Sequence, residues 1–328
     1  MASNVAILTG ADIARLDLST EDILDAAQRG LMAQVDGRAI AEPTTTFRPL
    51  PDRDSTLSFI RGADIGQQLA MIKTVGTYPS NPAIGLPSNP GMAMLCDART
   101  GQVIALIDAA PLTTLRTAAV AAIGAELAAR PDSRILGCIG TRGIALQAAT
   151  MIAELFALTE IRLHARDLTR AEKAATHLRG VSSAAVTVCG DWDSCLTGAD
   201  ILIDGASLPS DQDLFPLNSL APGVTLLAYG GYASAHAQAA NRFDRVVMDR
   251  WADGTSGAFG PSVAAGLLSR SDVSAYLGDV LAGRSTARTA PEQCILVWQR
   301  GLAACDITLA QVMITRADAL GNLQTIDL

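Results

Sequence analysis

Two basic side chains lie where the surrounding sequence makes a positive charge unfavourable. Lys73 belongs to a predicted strand whose other residues on the same face are apolar, namely Leu69, Met71 and Val75. Arg116 lies near the start of a predicted helix of small residues, where the helix dipole opposes a cation. A bound carboxylate would offset both costs, since arginine holds a carboxylate through two parallel hydrogen bonds. We therefore expect Lys73 and Arg116 to bind a small carboxylic acid. The alternatives are that Lys73 reaches solvent and that Arg116 pairs with a structural acid.

A glycine-containing loop follows a predicted strand that ends at Ile139. Gly140, Thr141, Arg142 and Gly143 connect that strand to a helix. Glycine at such a junction lets backbone N–H groups approach a pyrophosphate, which the helix N-terminus then stabilises. A G-x-G-x-x-G/A pattern anchored on Gly140 would want glycine at position 142, so we expect Gly143 to replace it with the turn displaced by one residue. The loop predicts a nucleotide site, in which Arg142 either binds phosphate or blocks entry. A glycine turn required only for packing is the alternative.

The tip of the second predicted strand bears on the choice of nucleotide. A site for NAD(H) favours an acidic side chain there, which binds the ribose hydroxyls, whereas an arginine can bind the 2′-phosphate of NADP(H). The tip reads His164, Ala165, Arg166 and Asp167. Arg166 favours NADP(H), and Asp167 leaves NAD(H) open.

The predicted elements that position these residues form two regions with different patterns of secondary structure. Strand-like segments dominate from Thr44 to Asp108, and two apolar runs around a short turn predict a hairpin near Asp97 to Gly101. From about residue 130 strands and helices alternate, which indicates a doubly wound parallel sheet and the α/β class. The strands of this second part are predicted at Arg134–Ile139, Ile161–Ala165, Ala185–Val188, Ile201–Asp204, Val224–Ala228 and Arg245–Met248. Elsewhere we predict a strand at Val5–Leu8, a helix beginning at Ser19 or Thr20, and helix from Pro291 to Ala319.

Charge and composition exclude several classes of partner. The formal net charge is −8 and there is no run of Lys or Arg, which argues against nucleic acid and against an anionic membrane surface. No apolar stretch is long enough to span a bilayer, and no signal peptide is recognisable. His164, His177 and His236 lie far apart and the cysteines lack metal-ligand spacing, so no metal site is expected. A cytoplasmic protein is the resulting expectation.

The segment from Leu112 to Ala119, LTTLRTAA, resembles the L-T-x-L-R-T-A-A signature of the ornithine cyclodeaminase / mu-crystallin family. Further segments agree with the family in order along the chain: Lys73–Val75, Tyr78–Pro82, Gly91, Asp97–Gly101, Ala199–Ile201 and Leu220–Gly223. The resemblance covers nearly the whole chain.

The resemblance implies a Rossmann-type NAD(P)-binding domain, expected at residues 130–299. It also implies an α+β substrate-binding and dimerisation domain, expected at residues 1–129 and 300–328, and a homodimer. Activities in the family share one step, in which hydride moves between a nicotinamide and the α-carbon of an amino acid or its imine. Lys73, Arg116 and Arg48 match the family's basic substrate-binding positions.

Two segments depart from the family's pattern. Cyclodeaminases carry an aspartate in a G-x-D element, where this chain has Tyr232. Tyrosine has a pKa of about 10 and is a poor base at neutral pH, so Tyr232 either donates a proton to an imine nitrogen or lines the site. Near the C-terminus Gly301 and Asp306 match the pattern, whereas Gln299 replaces a serine.

The resulting interpretation is an NAD(P)H-dependent oxidoreductase that acts on a small imine or ketimine acid, or on an amino acid in the reverse direction. Lys73, Arg116 and Tyr232 are the predicted catalytic residues. One alternative is a cyclodeaminase-like lyase with bound NAD, which would show no net redox change. The other is a non-catalytic, crystallin-like protein that binds a small ligand or nucleotide.

Overall fold

A computed structural model describes residues 4–206, 220–229, 242–251 and 259–327. The chain divides into two compact units, one running to Arg116 and resuming at Leu302, the other from Thr117 to Gly301. The division between the units falls inside a helix, at Arg116/Thr117, and again between Gly301 and Leu302. Within the described residues no helix is both long enough and apolar enough to cross a membrane.

The first unit is built on a mixed sheet of eight strands. They are β1 Asn4–Leu8, β2 Ala39–Ala41, β3 Thr45–Phe47, β4 Thr56–Asp64, β5 Leu69–Thr77, β6 Met92–Asp97, β7 Val103–Asp108 and β16 Gln324–Asp327. The order is β16-β1-β7-β6-β5-β4-β2, with β3 also paired to β4; β1 and β7 are parallel and the other pairs antiparallel. The predicted hairpin is confirmed as β6 and β7.

Two long helices pack together in the first unit, and both contact the sheet. Helix α2, Thr20–Val35, begins where the sequence predicts, because Ser19 and Asp22 form a capping box that satisfies the first backbone N–H groups. Helix α9, Ala303–Ala319, packs on α2 and on β4 and β5. A short helix α1, Gly10–Ala14, follows β1. The face of β5 made by Leu69, Met71 and Lys73 is buried, as the alternation predicts.

The described residues of the second unit form a sheet of eight parallel strands. They are β8 Ile135–Ile139, β9 Glu160–His164, β10 Ala185–Val188, β11 Ile201–Asp204, β12 Thr225–Ala228, β13 Arg245–Met248, β14 Val273–Tyr276 and β15 Ile295–Trp298. The order is β10-β9-β8-β11-β12-β15-β13-β14. The chain moves outward in one direction from β8 to β10 and then restarts on the other side at β11. This switch point confirms the Rossmann-type fold and directs attention to the carboxyl ends of β8 and β11.

The helices of the second unit lie between its strands along the chain. They are α4 Gly143–Leu155, α5 Leu168–Val181, α6 Trp192–Leu196, α7 Gly260–Ala264 and α8 Leu277–Leu281. Helix α3, Ala109–Ala128, carries the small residues of the signature and contains the point of division between the units. All six strands predicted in this part of the chain are present to within one residue at each end.

The prediction of continuous helix from Pro291 to Ala319 is wrong in its first half. Residues Ile295–Trp298 form β15, which is fully buried between β12 and β13, and helix begins only at Ala303. A short apolar run reads the same for a buried strand as for a buried helix segment. Its sheet partners lie at positions 225–228 and 245–248, which the local pattern does not reveal.

Candidate active site

The structure brings Lys73 and Arg116 together on one carboxylate. Lys73 projects from the buried face of β5, Arg116 from α3, and Asp306 from the first turn of α9. Asp306 Oδ1 accepts a hydrogen bond from Lys73 Nζ at 2.6 Å and another from Arg116 Nε at 2.9 Å. Thr113, one turn before Arg116 on α3, accepts a further bond from Lys73 Nζ at 3.2 Å. All four residues belong to the first unit.

Lys73 is buried, and its pKa therefore depends strongly on the charges around it. Its side chain is 0% exposed and that of Asp306 is 1% exposed. Desolvation is the main cause that lowers the pKa of Lys73 to about 8, with a smaller lowering by the charge of Arg116. The charge and hydrogen bond of Asp306 act in the opposite direction and raise it. The side chain is therefore a cation at neutral pH, with a pKa close enough to permit proton transfer.

The charges at this centre do not cancel. Lys73 and Arg116 each carry one positive charge, and Asp306 carries one negative charge, so the buried group keeps a net charge of one positive unit. The two terminal nitrogens of Arg116 make no hydrogen bond with any described residue, although its Nε is engaged. Asp306 Oδ2 is buried and also lacks a hydrogen-bond partner in the part of the chain that the structure describes. A bound anion would neutralise the group and use the free N–H groups of Arg116.

The structure bears differently on the alternatives for these two residues. Lys73 does not reach solvent, so that alternative is wrong. Arg116 does pair with an acid, but this acid is shared with Lys73 and does not neutralise both cations. The dipole argument for Arg116 does not hold, because α3 begins at Ala109, two turns earlier, and the effect fades within the first turn.

Arg48, the third predicted substrate-binding residue, is not brought into this group. Arg48 lies just beyond β3, is exposed, and makes no hydrogen bond or ion pair with a described residue. Tyr232 and His236 lie outside the described residues. Asp306 is the member of the group to which the sequence assigned no role; the only signal was its agreement with the family spacing after Gly301.

The glycine loop lies at the switch point of the second unit, between β8 and α4. Gly140 has φ +93°, a region that side-chain-bearing residues rarely adopt, and a Cβ there would lie 2.8 Å from the carbonyl oxygen of Gly205. Gly205 directly follows β11, so two glycines face each other where the two strands end. Gly143 also has a positive φ, +46°, as expected if it takes over from the missing glycine.

Arg142 does not strain the loop. Its backbone, with φ −131° and ψ 156°, is in the extended region that any residue adopts, and its side chain is exposed. It is the N-cap of α4 but makes no side-chain capping bond, so the first N–H groups of the helix are not satisfied by it. Thr141 Oγ1 is buried and lacks a protein partner among the described residues. Uncapped N–H groups, an unpaired hydroxyl and facing glycines fit a pyrophosphate at this loop.

At the end of β9 the two charged residues have different environments. Asp167 is the N-cap of α5: its carboxylate accepts the backbone N–H of Arg170 at 3.1 Å and pairs with the Arg170 guanidinium at 3.2 Å. Arg166 is exposed and makes no ion pair with a described residue. His164 is buried at the strand end, where Nδ1 lies 3.0 Å from the carbonyl oxygen of Cys189. The carboxylate that would bind ribose hydroxyls is thus engaged in capping a helix.

The departure at Gln299 has a structural role inside the second unit. Gln299 follows β15 and is buried. With the side-chain amide oriented to match its neighbours, its nitrogen donates to the carbonyl oxygen of Thr117 at 3.3 Å and its oxygen accepts from the backbone N–H of Ala121 at 2.8 Å. These two groups belong to one turn of α3, directly after Arg116. Serine would be too short to make both bonds.

The described residues contain no cluster of three or more His, Cys, Asp or Glu side chains that could hold a metal ion.

Comparisons with known proteins agree with this architecture. Ketimine reductase mu-crystallin of Mus musculus is 26% identical over 290 residues, which cover 88% of this chain and 89% of that protein. The solved Delta(1)-pyrroline-2-carboxylate reductase of Thermococcus litoralis, in complex with NADH and L-proline, has a TM-score of 0.89 at 19% identity and covers 98% of this chain and 100% of its own. An archaeal alanine dehydrogenase dimer with bound NAD has a TM-score of 0.88 at 21% identity, with 99% of each chain covered.

The family model described as ornithine cyclodeaminase/mu-crystallin matches residues 4–320, a span that includes both the Lys73–Asp306–Arg116 group and the glycine loop. With all but the ends of the chain matched, this protein belongs to the ornithine cyclodeaminase/mu-crystallin family.

Proposed function

We propose that this protein is an NAD(P)H-dependent oxidoreductase that reduces a small imine or ketimine acid, or oxidises the corresponding amino acid. The observation that carries the proposal is the buried group of Lys73, Arg116 and Asp306 with one positive charge left over. A substrate carboxylate would neutralise that positive charge. The relatives support the reaction type, since the mouse protein is named a ketimine reductase and the Thermococcus litoralis reductase holds NADH and L-proline.

Arg116 and Lys73 have different proposed roles because their side chains differ in how readily they release a proton. Arg116 cannot lose its proton at any relevant pH, so its role is to bind and orient the carboxylate through its terminal nitrogens. Lys73, with its pKa of about 8, can hold a proton near the imine nitrogen and give it up. Reduction of C=N needs that proton at nitrogen and a hydride at carbon. Gly140, Thr141, Arg142 and Gly143 would hold the nicotinamide nucleotide, whose chemistry would be to supply that hydride or to accept it in the reverse direction.

Reduction is favoured over cyclodeamination by the sequence at position 232. A tyrosine stands where cyclodeaminases of the family carry an aspartate, and tyrosine cannot act readily as a base at neutral pH. Tyr232 stays a predicted proton donor or lining residue.

For the nucleotide, we propose binding at Gly140, Thr141, Arg142 and Gly143 with a preference for NADP(H). The preference is supported by the exposed Arg166 at the end of β9 and by the engagement of Asp167 in capping α5. NAD(H) remains the alternative, because the relatives of known structure hold NADH or NAD.

We also propose that the protein is a homodimer formed through the first unit. The face of its sheet opposite Lys73 is largely apolar and partly exposed, with Arg61 and Thr74 among its polar members. We call it the open sheet face, and its apolar residues are Phe47, Phe59, Ile72, Met92, Met94 and Leu106. Phe47, Ile72 and Met92 are 47%, 43% and 51% exposed, and contiguous exposed apolar surface marks an association site. The archaeal alanine dehydrogenase is a dimer.

The reaction is tested in two steps. Nicotinamide fluorescence is followed on titration with NADPH and, separately, NADH. The nucleotide that binds is then used with cyclic imino acids, beginning with Delta(1)-pyrroline-2-carboxylate, and with 2-oxo acids plus ammonia or methylamine. Oxidation of the nucleotide with formation of the amino acid supports the proposal. Binding of a nucleotide without turnover of any of these compounds contradicts it and favours a non-catalytic binder, and turnover without net redox change favours a lyase.

Replacing Arg116 tests which group holds the carboxylate. Arg116→Ala should raise the KM of the imino acid by about 10- to 100-fold, because a charge-assisted hydrogen bond to a buried group contributes roughly 1.5 to 3 kcal/mol. The Kd of the nucleotide should stay within about twofold, since the glycine loop belongs to the other unit. Arg38→Ala is the control, because Arg38 also pairs with a buried aspartate, Asp64, in the first unit. Equal losses of nucleotide and imino acid binding would reject the role of Arg116.

A further inference from the structure

Asp306 serves two cations through one oxygen. Both Lys73 Nζ and Arg116 Nε donate to Oδ1, whereas Oδ2 is buried without a partner among the described residues. A carboxylate present only to neutralise a buried arginine would be expected to use both oxygens in parallel bonds with the guanidinium fork. Here the contact is through Nε alone, which leaves the terminal nitrogens of Arg116 for another anion. The geometry is therefore that of a bridge between the two basic residues.

The bridge is built from distant parts of the sequence and is largely shielded from water. Asp306 lies 233 positions from Lys73 and 190 from Arg116. The side chains of Lys73 and Asp306 are 0% and 1% exposed, and that of Arg116 is 10% exposed. The small remaining exposure belongs to the residue expected to meet the substrate, and the fully buried acid acts from behind it.

We propose that Asp306 is the positioning residue of this centre: it keeps Lys73 charged and, by engaging only Nε, directs the terminal nitrogens of Arg116 toward the carboxylate of the substrate. The inference rests on the proposed function in that the ligand is taken to be an imino or amino acid. Asp306 is hydrogen-bonded to Lys73 and Arg116, and in this proposal its removal acts through these two residues.

The groups that face Lys73 set the expected direction of change. They are Asp306 and Cys305 of α9, Arg116 of α3, and the uncharged Thr113. Without the carboxylate, desolvation and Arg116 still lower the pKa of Lys73, whereas the main opposing contribution is gone. In Asp306→Asn the pKa of Lys73 should therefore fall below that of the native protein, so that Lys73 is largely neutral at pH 7.5.

The sequence makes the charge of Lys73 directly measurable. Lysine occurs only at Lys73 and Lys173, and Lys173 is exposed on α5. Protein labelled with [13C]lysine therefore gives two side-chain Cε signals, of which Lys173 is an internal reference and Lys73→Met completes the assignment. The pH titration of the Lys73 signal should shift downward by about one unit or more in Asp306→Asn. An unchanged titration overturns the proposal, whatever the enzyme's activity.

Ligand binding gives the second measurement. Pyrrole-2-carboxylate, a stable planar carboxylate with the shape of a cyclic imino acid, is titrated by calorimetry into the full chain with its nucleotide. Asp306→Asn should weaken its binding by about tenfold or more at pH 7.5, because Arg116 loses its anchor and Lys73 its charge. Activity should follow with a higher KM and with the Lys73-dependent limb of the pH profile of kcat/KM moved to lower pH. Binding and pH profile equal to those of the native protein would refute the role.

Two further variants separate positioning from folding. Asp306→Glu keeps the charge but lengthens the side chain in a closed space, so Lys73 should titrate nearly as in the native protein while ligand affinity falls through misplacement of Arg116. If Asp306→Asn does not fold, Asp306→Glu alone tests the proposal, which expects a nearly native Lys73 titration together with reduced ligand affinity. Normal ligand affinity in Asp306→Glu would count against the proposal. Asp64→Asn is the matched control, since Asp64 is also fully buried and ion-paired, with Arg38. It should change stability without moving the Lys73 titration or the ligand affinity.

The proposed function and this inference fail in different ways. If pyrrole-2-carboxylate and the imino acids do not bind to the native protein, the proposed function is wrong, but the Lys73 titration still reports whether Asp306 controls the charge of Lys73. If the native protein is an active reductase and Asp306→Asn leaves the Lys73 titration unchanged, the positioning role is wrong and the function stands.

Discussion

The basic residue at the centre of the first unit is one of very few lysines. All but two of the 25 Lys and Arg residues are arginine, yet the fully buried position on β5 holds Lys73. An arginine there would carry the same charge with more donors but could not release a proton. A lysine desolvated to a pKa of about 8 combines both properties, since it is charged at neutral pH and able to transfer a proton. The presence of lysine rather than arginine at position 73 therefore favours a reaction that includes proton transfer.

The depressed pKa of Lys73 leads to two opposite pH dependences. The unfolded chain keeps this proton to about pH 10.5 and the folded chain only to about pH 8. Between these values the unfolded state binds more protons, so the free energy of unfolding should rise with pH. Over the same range the affinity for a carboxylate ligand should fall, by up to about tenfold per pH unit above 8, because its cation is lost. Urea unfolding and calorimetry at several pH values measure the two trends.

The control for this prediction is Lys73→Met, which keeps the volume and removes the titrating group. It should lack both the rise in stability and the fall in affinity that the native protein shows above pH 8. If the variant and the native protein have parallel pH profiles, other groups cause them and Lys73 is not the titrating cation.

At the scale of elements, the loop between β8 and α4 depends on one glycine more than on the others. In Gly140→Ala the new Cβ would lie 2.8 Å from the Gly205 carbonyl oxygen, and alanine would have to adopt φ +93°. Such a conformation costs roughly 1 to 3 kcal/mol, so the loop should shift and the Kd for nucleotide should rise about tenfold or more. The measurement is NADPH or NADH fluorescence. Gly180→Ala is the control, because Gly180 has no neighbour near its Cβ and no positive φ; if both variants bind nucleotide normally, the loop does not bind the pyrophosphate.

Some of these elements could be predicted from the sequence and others could not, for physical reasons. Alternation and helix capping are local, and they correctly gave the buried face of β5, the start of α2 and the hairpin of β6 and β7. The partners of a buried strand are not local, so β15 was taken for helix. The same limit applies to the site. The strand pattern placed Lys73 on an apolar face and the signature singled out Arg116, but Asp306 is far away in sequence and only the fold shows that it joins them.

For the whole molecule, the open sheet face leads to a prediction about assembly. Ile72 lies in the middle of this face on β5, and its side chain points away from the face that holds Lys73. Ile72→Glu would place a carboxylate beside Arg61 of β4 at the centre of a dimer interface, where removing both charges from water can cost more than their attraction returns. In a monomer the side chain at position 72 is 43% exposed, so the change should cost little. We therefore expect the native protein to sediment as a dimer and Ile72→Glu as a folded monomer.

Val181→Glu is the matched control, because Val181 is a β-branched residue that is 40% exposed, on α5 of the other unit. It should leave the dimer intact. The thermal midpoint of the native protein should rise with protein concentration, since association stabilises the folded state by mass action, and that of Ile72→Glu should not. A native protein that sediments as a monomer at all concentrations, or an Ile72→Glu variant that stays dimeric, would show that the open sheet face is not the site of self-association.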